Sequence, residues 1–310
     1  MNKALIIQAR PGVGDFCIFI PYIQQILEHN KNYDFTLLTK KRSSGKHILK
    51  YQKPNIQIIY LEDEILKLTN SKIKNFFKLI SFIKKNNFNK IYIMHFSLFW
   101  FLVAKVSRVA TIYNYGIFKK NVNIYLNALE HNKKWLNKEN LDSQTFIPYP
   151  DNKVKNHNQI IIGIGSSGPT RKWPTENYIE LIKRINNNNI KFFLAGGNNE
   201  IEKKIAKQIQ CSIKNNSVES LSDLTIEEMM PILHSSKLYI GNDTGFMHLC
   251  AGLNVPSISL FGDTPVEAYG RYTKNILPIL PENFKTIGHN SNAINKITVE
   301  QVINKVKEFI

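Results

Sequence analysis

The chain has 310 residues, enough for two domains with cores of their own, so no disulfide or metal staple is required. Forty-one Lys and Arg against 24 Asp and Glu give a formal charge of +17, a balance that favours anionic partners or reflects a Lys- and Asn-rich composition alone. No Arg-rich arm, zinc finger or RNA-binding aromatic motif accompanies the charge, so nucleic acid is not an expected partner. Three scattered cysteines without a C-x-x-C pair argue against a disulfide frame or a zinc site and fit a reducing cytosol.

The opening MNKALIIQARPGVGDF has too short an apolar run for a signal peptide; it reads as a strand closed by a Pro-Gly-x-Gly turn. FCIFIPYIQQILEH then has helical spacing, and DFTLLTK and IQIIYLE read as strands. KIKNFFKLISFIKKNN is amphipathic, with Phe76, Phe77, Ile80 and Ile83 on one side and lysines opposite. KIYIMHF is a strand, LFWFLVAKVSRV a helix and ATIYNYGI a strand. The most apolar window, 91–106, contains His95 and Ser97 and falls short of the roughly 18–20 residues a spanning helix needs. A soluble protein, at most peripheral to a membrane, is expected.

Residues 137–158 lose periodicity and read as an interdomain linker. The pattern then restarts: QIIIGIGSS, IKFFLAGG, KLYIGN and PSISLFG are strands, with helices TENYIELIKRINN, NEIEKKIAKQIQ, TIEEMMPILHSS and GFMHLCAGLN between or before them. The tail, 298–310, is an amphipathic helix capped by Thr298, with Glu300 beside it. Alternating strands and helices predict parallel βαβ units. The expected architecture is α/β, with two doubly wound, Rossmann-like domains, 1–150 and 151–310, facing a central cleft. The tail helix has the option of packing back on the first domain.

Four stretches carry chemistry. In ARPGVGDF, Gly12 and Gly14 permit a tight turn after the first strand, and Asp15 lands near the next helix. Asp15 either caps that helix or stands at the strand ends as a base for a substrate hydroxyl. The third glycine of a dinucleotide fingerprint is missing. In IGIGSSGPTRKWP, Ser166, Ser167 and Thr170 can donate to phosphate oxygens, while Arg171 and Lys172 offer charge to a diphosphate. Trp173 reads as a packing anchor. In FLAGGNNE, Glu200 opens a helix, where it suits either ribose hydroxyls or the helix dipole. In GNDTGFMHL, Asp243, Thr244 and Gly245 follow a strand and His248 lies one helical turn on. This is an anion cradle with dipole support, or a set of capping residues.

In their order, IGIGSS…RKWP, FLAGG…E and YIGNDTGFMHLCAGLNVPSISLFGDT resemble glycosyltransferase family 9, the bacterial ADP-heptose:lipopolysaccharide heptosyltransferases. ALIIQARPGVGDFCIFIPYI is similar to that family's first strand, Gly-Asp turn and helix, and ITVEQVINKVKEF to its last helix. The resemblance implies a GT-B fold with the donor on the second domain and the acceptor on the first. It implies inverting, metal-independent transfer of heptose from ADP-heptose to a lipid A–core acceptor, with no cofactor, in the cytoplasm or on the cytoplasmic face of the inner membrane. It assigns Asp15 as the general base, with Gly12 and Gly14 in the acceptor-side loop. Ser166, Ser167, Thr170, Arg171 and Lys172 fall to the donor diphosphate, and Thr244 and Gly245 to the leaving ADP. Asp243 and His248 would orient sugar and phosphate, and Glu200 would sit near the ribose or adenine. The family pattern has Lys two residues before the Trp, then Arg; here Arg171 precedes Lys172, which alters reach and fork geometry. A nucleotide-sugar epimerase and a non-catalytic nucleotide-sugar binder are the alternatives on the same fold.

Overall fold

In the computed structural model the chain divides into two compact units, residues 1–148 and 149–310. The structure describes residues 2–66, 71–116, 123–150, 156–166, 168–186, 189–213, 217–284, 287–288, 291 and 293–310. In chain order the first unit contains β1 (Asn2–Gln8), α1 (Val13–His29), β2 (Tyr33–Thr39), a short α2 (Gly45–Ile48) and β3 (Gln57–Tyr60). It continues with α3 (Lys72–Asn86), β4 (Lys90–Ile93), α4 (Leu98–Val106), β5 (Thr111–Asn114) and α5 (Ile124–Leu136). Its five strands pair in parallel in the order β3-β2-β1-β4-β5.

The second unit contains β6 (Asn156–Gly163), α6 (Thr175–Ile185), β7 (Lys191–Ala195), α7 (Glu200–Ser212), β8 (Val218–Ser220) and α8 (Ile226–Ser235). It ends with β9 (Ser236–Asn242), α9 (Gly245–Gly252), β10 (Ser257–Leu260), α10 (Val266–Tyr269), β11 (Ile276–Ile279) and α11 (Val299–Val306). Six parallel strands run β11-β10-β9-β6-β7-β8. Each sheet therefore reverses its winding once, at β1/β4 in the first unit and at β6/β9 in the second. In open parallel sheets the carboxyl ends of the strands at such a point border the binding crevice.

Both sheets are covered on their two faces, so their strands read as continuous apolar runs. In the first unit, Leu5, Ile7, Ile91 and Ile93 pack with Leu79, Ile80 and Ile83 of α3 and Trp100, Val103 and Ala104 of α4. In the second, Ile160, Ile162, Leu238 and Ile240 pack with Leu181 and Ile182 of α6 and with Val299, Val302, Ile303 and Val306 of α11. The apolar stripe of the tail helix is thus spent on the core of its own unit. Its capping box is closed by Thr298 and Gln301, while Glu300 pairs with Arg184 of α6 at 2.7 Å.

Five elements have no counterpart in the sequence reading: the four-residue helices α2 and α10, then α5, β8 and β11. The last two have only three and four residues, and β11 contains Pro278, which an edge strand tolerates. The expected strand IQIIYLE stops at Tyr60, where the backbone winds into a π-helical turn over Leu61–Leu66. The expected linker is partly anchored. Residues 141–150 carry no helix or strand, yet Gln25 donates to the Asp142 carbonyl at 2.8 Å and Gln24 to that of Phe146 at 2.9 Å. Pro21 lies inside α1 and has no N–H to donate to the carbonyl four residues back. The Thr145 hydroxyl donates to that carbonyl, on Cys17, at 3.1 Å instead.

Candidate active site

At the switch point of the first sheet, β1 ends on Gln8 and the chain turns through Gly12 at φ +102°, a conformation that favours glycine. Gly12 occupies the N-cap position of α1 without a side-chain cap, and Gly14 lies in the first helical turn rather than in the loop. Asp15 does not cap the helix. Its Oδ1 lies 3.2 Å from Nε of Arg10, with both side chains about three-quarters buried. Burial pushes the Asp15 carboxyl above the usual aspartate value, and the Arg10 guanidinium only partly offsets this. A carboxylate in that state is a stronger base than one in water.

Polar groups that sequence reasoning missed surround Asp15's strand end. Gln8 is fully buried, and neither its Oε1 nor its Nε2 has a hydrogen-bond partner among the described residues. The same holds for Nδ1 of His95, which follows β4, and for Oδ1 of Asn114, which ends β5. Burial, with the charges of Arg10 and Lys40, holds His95 down at about 4, so its imidazole is neutral at pH 7. Unpaired buried polar atoms are rare because each costs about 1–3 kcal/mol. Four of them, on three residues at the carboxyl ends of β1, β4 and β5, mark a place where a polar ligand would be held. The signal available in the sequence was position alone: each is the last residue of its strand or stands two residues past it.

The second unit is built differently. Gly163 and Gly241 are partners in the β6/β9 ladder, and the Tyr239 side chain crosses them. A Cβ on Gly163 would overlap the Tyr239 hydroxyl, and one on Gly241 would overlap the Gly163 backbone. The Tyr239 hydroxyl donates to the Asn242 carbonyl at 2.7 Å. The Asn242 side chain ties the two strand ends together. Its Oδ1 accepts from Tyr178 at 2.9 Å and from the Trp173 amide at 3.2 Å, and its Nδ2 donates to the Gly165 carbonyl at 3.0 Å. Trp173 is the packing anchor expected: it is buried, donates Nε1 to the Ile297 carbonyl at 2.8 Å and meets Tyr178 edge-on.

The loop after β6 is held from three sides. Glu202 of α7, buried beneath Gly165, Gly196 and Gly197, accepts from the Ser166 amide at 3.1 Å and from the Gly197 amide. Ser166 Oγ accepts from the Gly168 amide at 3.2 Å. Thr170 donates to Oδ2 of Asp263 at 2.8 Å, and Nε of Arg171 lies 3.7 Å from the same oxygen. Asp263 follows β10, so this tie spans the end of β9. Lys172 forms no ion pair among the described residues. Glu200 is exposed at the start of α7; Asn199, not Glu200, caps that helix by accepting from the Glu202 amide at 3.0 Å. Of the predicted residues, Ser167 lies outside the described residues.

After β9, Asp243 accepts from the Thr264 hydroxyl at 2.5 Å. Thr244 occupies the N-cap position of α9, but its hydroxyl makes no cap bond and lies 3.5 Å from that of Tyr239. The first-turn amides from Gly245 onward have no acceptor within the helix. His248 is buried, and its Nδ1 pairs with the Tyr272 hydroxyl at 2.7 Å. Burial holds its pKa at about 3, so the ring is neutral and its 3.7 Å approach to Asp243 is no ion pair. Ser166, Thr170, Arg171, Asp243, Thr244 and Gly245 therefore lie together at the carboxyl edge of the second sheet. His248 is buried behind them, its ring held by Tyr272. Asp263, Thr264, Glu202 and Tyr272 were missed.

Two parallel-sheet α/β units, each reversing its winding once, are the halves of a GT-B fold. The family model described as "Glycosyltransferase family 9 (heptosyltransferase)" matches residues 91–293, and the chain belongs to that family. It is 26% identical to lipopolysaccharide heptosyltransferase 1 of Campylobacter coli, over 96% of both chains. It is 30% identical to lipopolysaccharide heptosyltransferase 1 of Escherichia coli K12 over 40% of this chain and 38% of that one. Among solved structures, E. coli heptosyltransferase WaaC with ADP superposes with a TM-score of 0.74, at 17% identity over 99% of this chain and all of that one. The family 9 glycosyl transferase of Veillonella parvula gives 0.76 at 15% identity, over 99% and 97%.

Proposed function

We propose that this enzyme transfers a heptose from ADP-heptose to a lipopolysaccharide core acceptor, at the cytoplasmic face of the inner membrane, by a single inverting displacement. The observation that carries the reading is the β6/β9 switch point, where the hydroxyl-lined loop that carries Arg171 and Lys172 is tied to Asp263 and Asn242, next to the β9 end from which α9 starts. That chemistry suits a nucleotide diphosphate. The family and the full-length likeness to a lipopolysaccharide heptosyltransferase support the sugar and the acceptor class.

In this mechanism an acceptor hydroxyl oxygen attacks the anomeric carbon from the face opposite the diphosphate. Asp15 takes the hydroxyl proton as the new C–O bond forms. The old C–O bond breaks with its electron pair passing to the β-phosphate of ADP. Ser166, Thr170, Arg171, Lys172, Thr244 and Gly245 stabilise that developing charge, Asp243 with neutral His248 behind it positions the cradle, and Glu200 meets the ribose or adenine. Gln8, His95 and Asn114 satisfy their polar atoms on the acceptor sugar. These side chains and helix amides supply the positive charge, and the reaction needs no metal cofactor.

The test is an assay with ADP-heptose and heptose-free lipopolysaccharide core, with and without EDTA, and NMR of the product's anomeric centre. Transfer with inversion that survives the chelator is expected. A retained configuration, dependence on a divalent cation, or conversion of the donor without an acceptor would overturn the respective part. The last outcome would indicate an epimerase, a class whose fold is also similar: a UDP-GlcNAc 2-epimerase of Methanocaldococcus jannaschii superposes with a TM-score of 0.53, at 13% identity over 99% of this chain and all of that one.

A further inference from the structure

The charge is unevenly laid along the chain. Between Glu64 and Glu130 there is no acidic residue and there are eleven Lys or Arg. The same stretch holds most of the exposed apolar surface. Of twelve large hydrophobic side chains exposed among the described residues, seven lie between Ile73 and Val106. On α3 these are Ile73, 71% exposed, and Phe77, 63%, four residues apart. On α4 they are Leu98, 62% exposed, with Phe99, Leu102 and Val106.

None of these side chains is needed by the core. α3 meets the sheet through Leu79, Ile80 and Ile83, and α4 through Trp100, Val103 and Ala104. Leu98, Leu102 and Val106 follow one another at four-residue steps, so they form a second stripe on α4. The stripes of the two helices are joined: Phe76 meets Phe77 edge-on at 5.7 Å and Phe99 at 5.9 Å. Lys72, Lys74, Lys84, Lys85, Lys105 and Arg108 are exposed on the same two helices and the turn after α4.

We propose that this face of α3 and α4 is the surface on which the enzyme docks to a bilayer of anionic lipid, with Ile73, Phe77, Leu98 and Leu102 entering the headgroup–acyl boundary. A joined apolar face of this kind marks an interaction site. Its lysines select the occupant. Lysine is depleted at protein–protein interface cores, whereas long cationic side chains beside apolar ones suit a lipid surface, where the stems lie in the apolar layer and the ammonium groups meet phosphates. The absence of any carboxylate over this stretch removes the repulsion an anionic surface would otherwise exert. The inference deepens the proposed function, since a lipid-borne acceptor meets the enzyme at a membrane.

The test is co-sedimentation of the full chain with vesicles of phosphatidylglycerol and phosphatidylethanolamine, and with vesicles of phosphatidylcholine alone. Binding to the first that weakens with salt, and little binding to the second, is expected. Phe77→Ser with Leu98→Ser should lower partitioning at least tenfold, and each of Lys74→Glu and Lys105→Glu about fivefold. All of these positions are exposed, so melting temperatures should stay near that of the wild type. No binding by the wild type to anionic vesicles, or binding unchanged by both kinds of substitution, would overturn the proposal. So would a fall in oligomer size in the Phe77/Leu98 variant without vesicle binding by the wild type, which would mark an interface between copies. Transfer to a detergent-dispersed acceptor is measured in parallel and should be unchanged in these variants. Lipid binding without any transfer would sink the heptosyltransferase reading and leave the docking surface standing; transfer without lipid binding would do the reverse.

Discussion

The two switch points differ in how their polar groups are satisfied. At β6/β9 the buried ones are tied to one another: Asn242 to Tyr178 and the Gly165 carbonyl, Glu202 to two loop amides, Asp243 to Thr264, Asp263 to Thr170. Among the described residues at β1/β4 and the neighbouring β5, Gln8, His95 and Asn114 keep buried polar atoms without partners, and the ion pair of Asp15 is with Arg10. A pre-tied edge presents fixed donors and costs little to organise when a ligand arrives. An edge with orphaned groups is completed by its ligand. This is the division expected if the first edge does proton chemistry on an acceptor and the second holds a diphosphate.

The largest effect that would break this division is on Asp15. Asp15→Asn keeps the size of the side chain and removes the proposed base, so kcat for transfer should fall about 10²–10⁴-fold. A kcat within a few-fold of the wild type would remove Asp15 from the chemistry. At the other edge, Gly163→Ala forces a Cβ into the Tyr239 hydroxyl and ring. The loss should be near the upper end of the about 1–3 kcal/mol typical of overpacking, read as a lower denaturant midpoint. Glu202→Ala leaves the Ser166 and Gly197 amides unpaired, for about 1–3 kcal/mol. Its signature should be reduced thermal stabilisation by ADP, beyond any fall in the melting temperature of the free protein.

Two smaller effects sharpen the comparison through pH. In the proposed mechanism Asp15 acts deprotonated, so kcat/KM should rise with pH through its pKa, which burial places above the usual aspartate value. Arg10 lowers that pKa, so Arg10→Gln should move the acid limb to higher pH, whereas Arg171→Gln should leave it in place. The second effect concerns stability. His95 and His248 are held neutral at about 4 and about 3 in the folded chain, against about 6.5 when unfolded. Below pH 6.5 the unfolded chain therefore binds protons that the folded chain does not, and stability falls with pH until the folded values are reached. Each histidine contributes a slope of about 1.4 kcal/mol per pH unit over that window. Thermal melts of His95→Gln between pH 4 and 7 should show a shallower slope than the wild type.

Much of this was legible from sequence. The alternation of apolar runs with amphipathic segments set out two α/β halves, and the strand–turn–helix polar clusters at 163–172 and 242–248 pointed to the second edge. What escaped depended on pairing across the sheet. Asp263 and Thr264 sit in a motif that reads as a strand end, and only the β9/β10 pairing brings them to Thr170 and Asp243. Glu200 attracted attention because it opens α7, but the helix period turns Glu202 inward beneath the glycines. Gln8 and Asn114 carry no motif at all; their role follows from burial without a partner, which a sequence does not display. The resemblance assigns His248 to orienting sugar and phosphate; in the fold its ring is buried, neutral and hydrogen-bonded to Tyr272.

The central claim is that the second edge holds the nucleotide and the first supplies the base. Calorimetric titration of ADP into the wild type, Asp15→Asn and Arg171→Gln tests it most directly. The account predicts an unchanged Kd for Asp15→Asn and one weakened tenfold or more for Arg171→Gln, about 1.4 kcal/mol. A Kd that weakens in Asp15→Asn and stays constant in Arg171→Gln would contradict it.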